Sequence, residues 1–262
     1  MTTPIQLAAL VAAAFAAGAV NSIAGGGTLL TFPALLAAGI SPLAANATST
    51  VAVVPGSLGA FWAYRGELHN DRAVLVSLAI PSALGGVAGA LLALRAGDAL
   101  FAALVPWLIL GATALFLASE PISRWLGRTK PPEASAGATQ RPSPRSLAAM
   151  SVFQFAGALY GGFFGAGIGI LMLAALGIAG MRNVHRMNAF KNFAAACING
   201  IAAVTFAARG RVIWWIAGVM ALAAIAGGVL GARAAKKVGQ RTVRQMIVAV
   251  GVIIAAVMFM RR

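Results

Sequence analysis

The sequence predicts an all-α integral membrane protein made of two inverted repeats, and three observations lead there. First, 60% of its 262 residues are hydrophobic and only 10% are charged, whereas a soluble domain carries about 25% charged and roughly 45–50% apolar residues. Second, charge-free apolar runs follow one another at lengths suited to a hydrocarbon core of about 30 Å. Third, a string of short motifs occurs twice in the same order, the mark of one unit used twice.

In chain order, the apolar runs cover residues 4–40, 42–64, 73–94 and 100–118. A stretch rich in Pro, Ser, Arg and Lys follows at 120–146, and its Pro131-Pro132 and Arg141-Pro142-Ser143-Pro144 read as an exposed linker. The later runs cover 147–181, 187–208, 212–232 and 242–260. The expected organisation is a first transmembrane repeat at 1–119, a cytoplasmic linker at 120–146 and a second repeat at 147–262. No Lys or Arg precedes the first run, so it is expected to be a retained helix and not a cleaved signal.

The opening run of each half is too long for one span and is interrupted by glycine, at Gly25-Gly26-Gly27 and at Gly165-Ala166-Gly167. About 13 residues follow each break, roughly 20 Å of helix, which is short of a full crossing. The other paired motifs are Asn46-Ala47 with Asn188-Ala189, Arg65-Gly66 with Arg209-Gly210, and the Gly85–Ala90 and Gly227–Ala232 stretches. Glycines can break a helix or let two helices pack closely. The triple Gly25–Gly27 favours a break. The spacings Gly157/Gly161/Gly165, Gly85/Gly89 and Gly227/Gly231 favour packing.

The positive-inside rule chooses between arrangements. If each broken run crosses once, giving parallel halves, Lys and Arg divide almost evenly between the two faces. If each broken run counts as two segments, giving five per half and an inverted second half, the cations fall mostly on one face. That face holds Arg65, Arg72, the linker cations, the 182–191 cluster and the 233–244 cluster, and only Arg95, Arg209, Arg211, Arg261 and Arg262 remain opposite. The inverted arrangement is expected, with the linker cytoplasmic and both termini outside. Its paired breaks point to a substrate site near the midplane, at the repeat interface.

The net charge of +15 does not signal nucleic-acid binding, because the cations lie in short gaps between apolar runs and not along one face. All five acids, Glu67, Asp71, Asp98, Glu120 and Glu133, lie at run ends or loops. Cation carriers and proton relays keep a carboxylate within the membrane, so an anion is the better cargo. Lys191 lies inside an apolar run without an acid to pair it. It either snorkels to the interface or meets a transported anion. Asn46, Thr48, Ser49 and Thr50 in the first half and Asn188, Asn192 and Asn199 in the second are interhelical glue or neutral partners of an oxyanion. The expected substrate-binding set is Gly25, Gly26, Gly27, Asn46, Thr48, Gly165, Gly167, Asn188 and Lys191.

No metal site or cofactor is expected. His69 and His185 stand alone at segment ends, and the single Cys197 reads as a small apolar residue. No H-E-x-x-H occurs, Pro55-Gly56-Ser57-Leu58-Gly59 misses the G-x-S-x-G pattern, and Gly25-Gly26-Gly27 lacks a G-K-[ST] ending. A transporter is expected, not an enzyme. A carrier or channel for another solute such as a metal cation, or a non-transporting membrane subunit, remains the alternative.

Asn21-Ser22-Ile23-Ala24-Gly25-Gly26-Gly27, Gly39-Ile40-Ser41-Pro42 and Ala45-Asn46-Ala47-Thr48-Ser49 resemble motifs of the sulfite exporter TauE/SafE family of membrane permeases. In the second half, Gly161–Gly167, Asn188-Ala189-Phe190-Lys191 and Arg209-Gly210-Arg211-Val212-Ile213-Trp214 resemble its repeat. The resemblance implies export of sulfite, or of a small organosulfur or carboxylate anion, across a bacterial inner membrane. Where the family often shows Ala-Thr-Lys, this chain has Ala189-Phe190-Lys191, so the threonine is missing.

Overall fold

A computed structural model describes residues 3–23, 25–68, 72–128, 144–178, 181 and 184–234. The expected final segment at 242–260, most of the linker, and His69 and Asp71 lie outside the described residues, as does the side chain of His185. Every regular element within them is helical: α1 (Pro4–Ile23), α2 (Thr28–Ala37), α3 (Pro42–Tyr64), a 3-10 turn (Arg65–Glu67), α4 (Arg72–Arg128), α5 (Pro144–Phe163), α6 (Ile168–Ile178), α7 (Val184–Ala208) and α8 (Trp214–Ala234). The chain is an all-α membrane protein.

By length and composition, Pro4–Ser22, Arg72–Ala114 and Arg186–Ala208 can cross a membrane. At 23 residues α3 is also long enough, but it is less apolar because Asn46, Thr48, Ser49, Thr50 and Ser57 are built into it, all buried. Polarity runs inside out. Buried Asn, Ser, Thr and Lys side chains face the interior, while Val152 and Leu222 are 72% and 71% exposed and Trp62, Trp107, Trp214 and Trp215 point outward. Water would penalise that surface, and hydrocarbon does not.

The runs at 73–94 and 100–118, read as separate from sequence, form the two arms of α4, which meet at a kink at Gly97 (φ 68°, ψ 176°). No proline or run of polar residues stops the helix there, so one glycine in the left-handed region makes the whole turn. Helix α4 also continues to Arg128, and α5 begins at Pro144, so helices enter both ends of the stretch assigned to the linker.

Packing repeats when the halves are exchanged. Helix α1 packs on α8 as α5 packs on α4; α3 packs on α8 as α7 packs on α4; and α3 packs on α7. The glycines explain how the first pairs come so close. A methyl group on Gly85 would strike the Phe155 carbonyl of α5, and one on Gly227 would strike the Phe15 carbonyl of α1. Gly89 likewise sits against the Leu159 carbonyl. These are the small-residue surfaces expected. Gly157 is not one of them: no neighbour among the described residues lies within 4 Å of its added methyl, while the adjacent stripe of Gly161 and Gly162 meets Ile168 and the Gly86 carbonyl.

Helices α3 and α7 run antiparallel. Near the start of α3, Thr48 Oγ1 accepts the N–H of Ile213, just past the end of α7, at 3.1 Å. Toward the end of α3, the Phe61 ring packs 5.5 Å from that of Phe193 in the first half of α7. At the first of these ends Asp98 joins three turns: its Oδ1 accepts the Leu43 N–H at 3.1 Å, and its Oδ2 lies 3.7 Å from Arg211. The turns at residues 41–43, 97–98 and 209–213 therefore share one end of the bundle.

Candidate functional site

Both glycine interruptions are genuine breaks, and both close the preceding helix in the same way. Gly25 (φ 70°) donates to the Val20 carbonyl and Gly165 (φ 80°) to that of Tyr160, each five residues back and each at 3.3 Å. These bonds close the preceding helix in a left-handed C-cap that glycine adopts without strain. Gly26 (φ 152°) and Gly167 (φ 78°) complete the turns, whereas Gly27 is right-handed (φ −54°) and is small for another reason. A methyl there would come within 2.7 Å of the Ala17 carbonyl, because α2 folds back along α1.

Side chains that were not in the expected set lock the two turns. Asn21 accepts the Gly26 N–H on Oδ1 at 3.1 Å and donates from Nδ2 to Ser57 Oγ at 3.2 Å. Tyr160 donates its phenol proton to the Ala166 carbonyl at 2.8 Å. An amide just before a glycine run, and one of only two tyrosines placed five residues before the other break, were the available signals.

The breaks meet. A methyl on Gly25 would lie 2.8 Å from the Cα of Gly169, and one on Gly165 would lie 3.8 Å from Thr28 Oγ1 and 3.7 Å from Asn199 Oδ1. The starts of α2 and α6 thus adjoin, and the N-termini of helices offer free N–H groups and a positive dipole end. Behind them, Phe32 of α2 and Phe164 of the second break pack edge to face at 5.2 Å, which ties the halves together.

Asn46, Ser49, Thr50 and Ser57 share one face of α3, and Asn188, Lys191, Asn192 and Asn199 occupy the corresponding positions on α7. All are buried; Lys191 is 1% exposed and does not snorkel. Asn46 reaches the other half, donating from Nδ2 to the Phe163 carbonyl beside the second break at 3.0 Å. Ser49 is paired at 2.6 Å with Thr31 of α2. On the α7 face, by contrast, Lys191 Nζ, Asn188 Oδ1 and Asn192 Nδ2 have no hydrogen-bond partner among the described residues, and the same holds for Asn46 Oδ1 and Thr113 Oγ1. An unpaired buried polar group costs about 1–3 kcal/mol, more when charged, so several on one helix face mark a place built for something else.

Thr48 does not join this group. It lies two residues, about 200° of helix, from Asn46, and its hydroxyl is engaged by Ile213. Its counterpart on α7 is Phe190, which packs beneath Arg186 with the guanidinium 5.8 Å from the ring centre. Of the expected residues, the structure therefore joins the two glycine breaks to each other and Asn46 to the second of them, and it aligns Asn188 with Lys191. It sets Thr48 apart and adds Asn192, Thr28 and Asn199. Among the described residues no three of His, Cys, Asp and Glu come together.

Two interrupted helices meeting inside a bundle, a polar interior and an apolar exterior belong to a membrane transporter. The chain is a member of the sulfite exporter TauE/SafE family, whose model matches residues 10–258. It is 32% identical over 250 residues to the probable membrane transporter protein ORF9 of Sinorhizobium sp, covering 95% of this chain and 90% of that one. It is 30% identical over 263 residues to the probable membrane transporter protein YfcA of Escherichia coli K12, covering 98% and 90%. A probable membrane transporter protein of Haemophilus influenzae is 31% identical over 256 residues, covering 96% and 94%. No solved structure matches the chain significantly.

Proposed function

We propose that the protein carries a small oxyanion, sulfite or a small organosulfur or carboxylate anion, outward across the inner membrane. The carrying observation is Lys191, whose buried Nζ has no partner among the described residues. An unpaired buried cation is expensive, and an anion arriving beside it removes that cost. Asn192 Nδ2 supplies a second donor, and the adjoining helix starts at Thr28 and Ile168 supply positive dipole ends. An ammonium in the interior repels metal cations, which disfavours a cation carrier.

The two halves are read as inverted repeats, with the linker cytoplasmic and both termini outside. Corresponding helices α3 and α7 pack antiparallel, and Asp98 and Arg211 meet, which supports placing the turns at 97–98 and 209–213 on one face. Parallel repeats would put those turns on opposite faces. Single cysteines in a Cys197→Ser background, in place of the exposed Arg95 and of the exposed Arg209, test this with an impermeant thiol reagent. Labelling from opposite sides of the membrane would overturn the inverted arrangement.

Labelled sulfite counterflow into proteoliposomes, against panels of unlabelled anions and divalent cations, tests the transport itself. Anions should drive exchange, and Lys191→Ala should abolish it in a protein that still elutes as folded material. Exchange driven by cations, or an undiminished Lys191→Ala variant, would remove Lys191 and the oxyanion from the mechanism.

A further inference from the structure

We infer that the second glycine break binds an alkali cation, Na⁺ or K⁺, on neutral oxygens. Gly165 turns at φ 80°, and beyond its own chain neighbours the three atoms nearest the place of a β-carbon are all oxygens. They are the Gly161 carbonyl at 3.0 Å, Asn199 Oδ1 at 3.7 Å and Thr28 Oγ1 at 3.8 Å. These belong to α5, α7 and α2, so both halves contribute. Asn199 and Thr28 are only 8% and 7% exposed. The first break has no such set: the three atoms nearest the same point on Gly25 all belong to the Gly169 backbone.

In the first half Asn21 bridges the break, accepting the Gly26 N–H and donating to Ser57 Oγ. Counted from the breaks, Gly161 stands in the place of Asn21, and along α7 Asn199 stands in the place of Ser57. The second half therefore lacks the bridging amide. The Gly165 N–H, which would continue the helix onto the Gly161 carbonyl, goes to the Tyr160 carbonyl instead. Gly161 thus presents a carbonyl at the negative end of α5, the kind of group that holds a cation at an interrupted membrane helix. A carbonyl, an amide oxygen and a hydroxyl are uncharged ligands and suit a monovalent ion. Ca²⁺ and Mg²⁺ draw on carboxylates, and the acids of this chain lie at run ends or loops. Lys191 is eight residues along α7 from Asn199, about 12 Å of helix, and the starts of α2 and α6 are positive ends. The cation is accordingly held weakly alone and more tightly once an anion has entered, and the coupling is reciprocal.

The test is thermal unfolding of the full chain in detergent, with NaCl or KCl replacing choline chloride at constant ionic strength, in the presence and absence of sulfite as its choline salt. Na⁺ or K⁺ should raise the melting temperature, and sulfite should lower the alkali concentration that gives half the effect. Thr28→Val keeps the shape of the side chain and removes its hydroxyl, and it should raise that concentration about tenfold, the scale of one lost ligand. Asn199→Leu serves the same purpose if the first variant fails to fold. No response to replacing choline would mean that Asn199 turns its N–H to the Gly161 carbonyl. That outcome, or an alkali response undiminished in both variants, would overturn this inference and leave the oxyanion proposal standing. An alkali response weakened in the variants, with no response to sulfite under any condition, would uphold the cation site and count against the oxyanion proposal.

Discussion

The two halves of the chain break and pack their helices alike and differ in chemistry. Each carries a break closed by the same hydrogen bond to a carbonyl five residues back, and each presents one polar face on its third helix. In the first half that face is neutral and partly satisfied, since Ser49 pairs with Thr31. In the second half Lys191 takes the place of Ser49, and leucine, Leu171, takes the place of Thr31. One half carries the buried charge and the other neutral groups, so the repeated helix frame is not repeated in polarity.

The sharpest way to break that contrast is Lys191→Ser, which copies the first half's side chain into the second. Removing the charged partner of a buried ionic contact costs about 2–5 kcal/mol, so anion flux in proteoliposomes should fall on the order of 30-fold or more. Retained flux would mean that the charge asymmetry has no role in transport.

A smaller effect, on stability, separates glycines that turn the chain from glycines that do not. Gly25→Ala places a side chain at positive φ and against the Gly169 backbone, and should cost about 2–4 kcal/mol. Gly157→Ala, in open space on α5, should be neutral or slightly stabilising. Thermal melting of the two variants in the same detergent checks the pair, and equal melting would remove the distinction.

The two locks should differ again. Asn21→Leu loses two hydrogen bonds around the first break, and Tyr160→Phe loses one at the second. At about 1 kcal/mol per bond, the first variant should melt lower than the second. Least of all, Asp98→Asn removes an ion pair whose partners are 42% and 48% exposed. It should cost under about 1 kcal/mol, with the loss shrinking further in high salt.

Much of the frame was legible in the sequence. The bounds of α3, residues 42–64, and both helix breaks follow from apolar run length and glycine placement. The gap between the runs at 73–94 and 100–118 marked the break in α4, but a lone glycine gave no sign that Gly97 itself would take positive φ there. Arg65-Gly66 and Arg209-Gly210 match in letters, yet Gly66 lies in a 3-10 turn and Gly210 at φ 66°. The local backbone there is set by what each turn packs against. Within the candidate site, residue type singled out Lys191, Asn46 and Asn188, and the structure shows that all three are buried, so Lys191 does not snorkel. Thr48 shows the limit, since proximity to Asn46 in sequence did not place it on the same helical face. Asn21 and Tyr160 stayed hidden because their task is to bind backbone, which leaves no pattern of like residues.

The contact between Gly25 and Gly169 joins two stretches of main chain with no side chain from either. Surfaces that interlock must unseat their rotamers before they can move, but two bare ribbons slide without that toll. The contact between Gly25 and Gly169 therefore interlocks no side chains. The ties between the halves are made around it, by Phe32 with Phe164, Asn46 with the Phe163 carbonyl, Thr48 with Ile213 and Asp98 with Arg211.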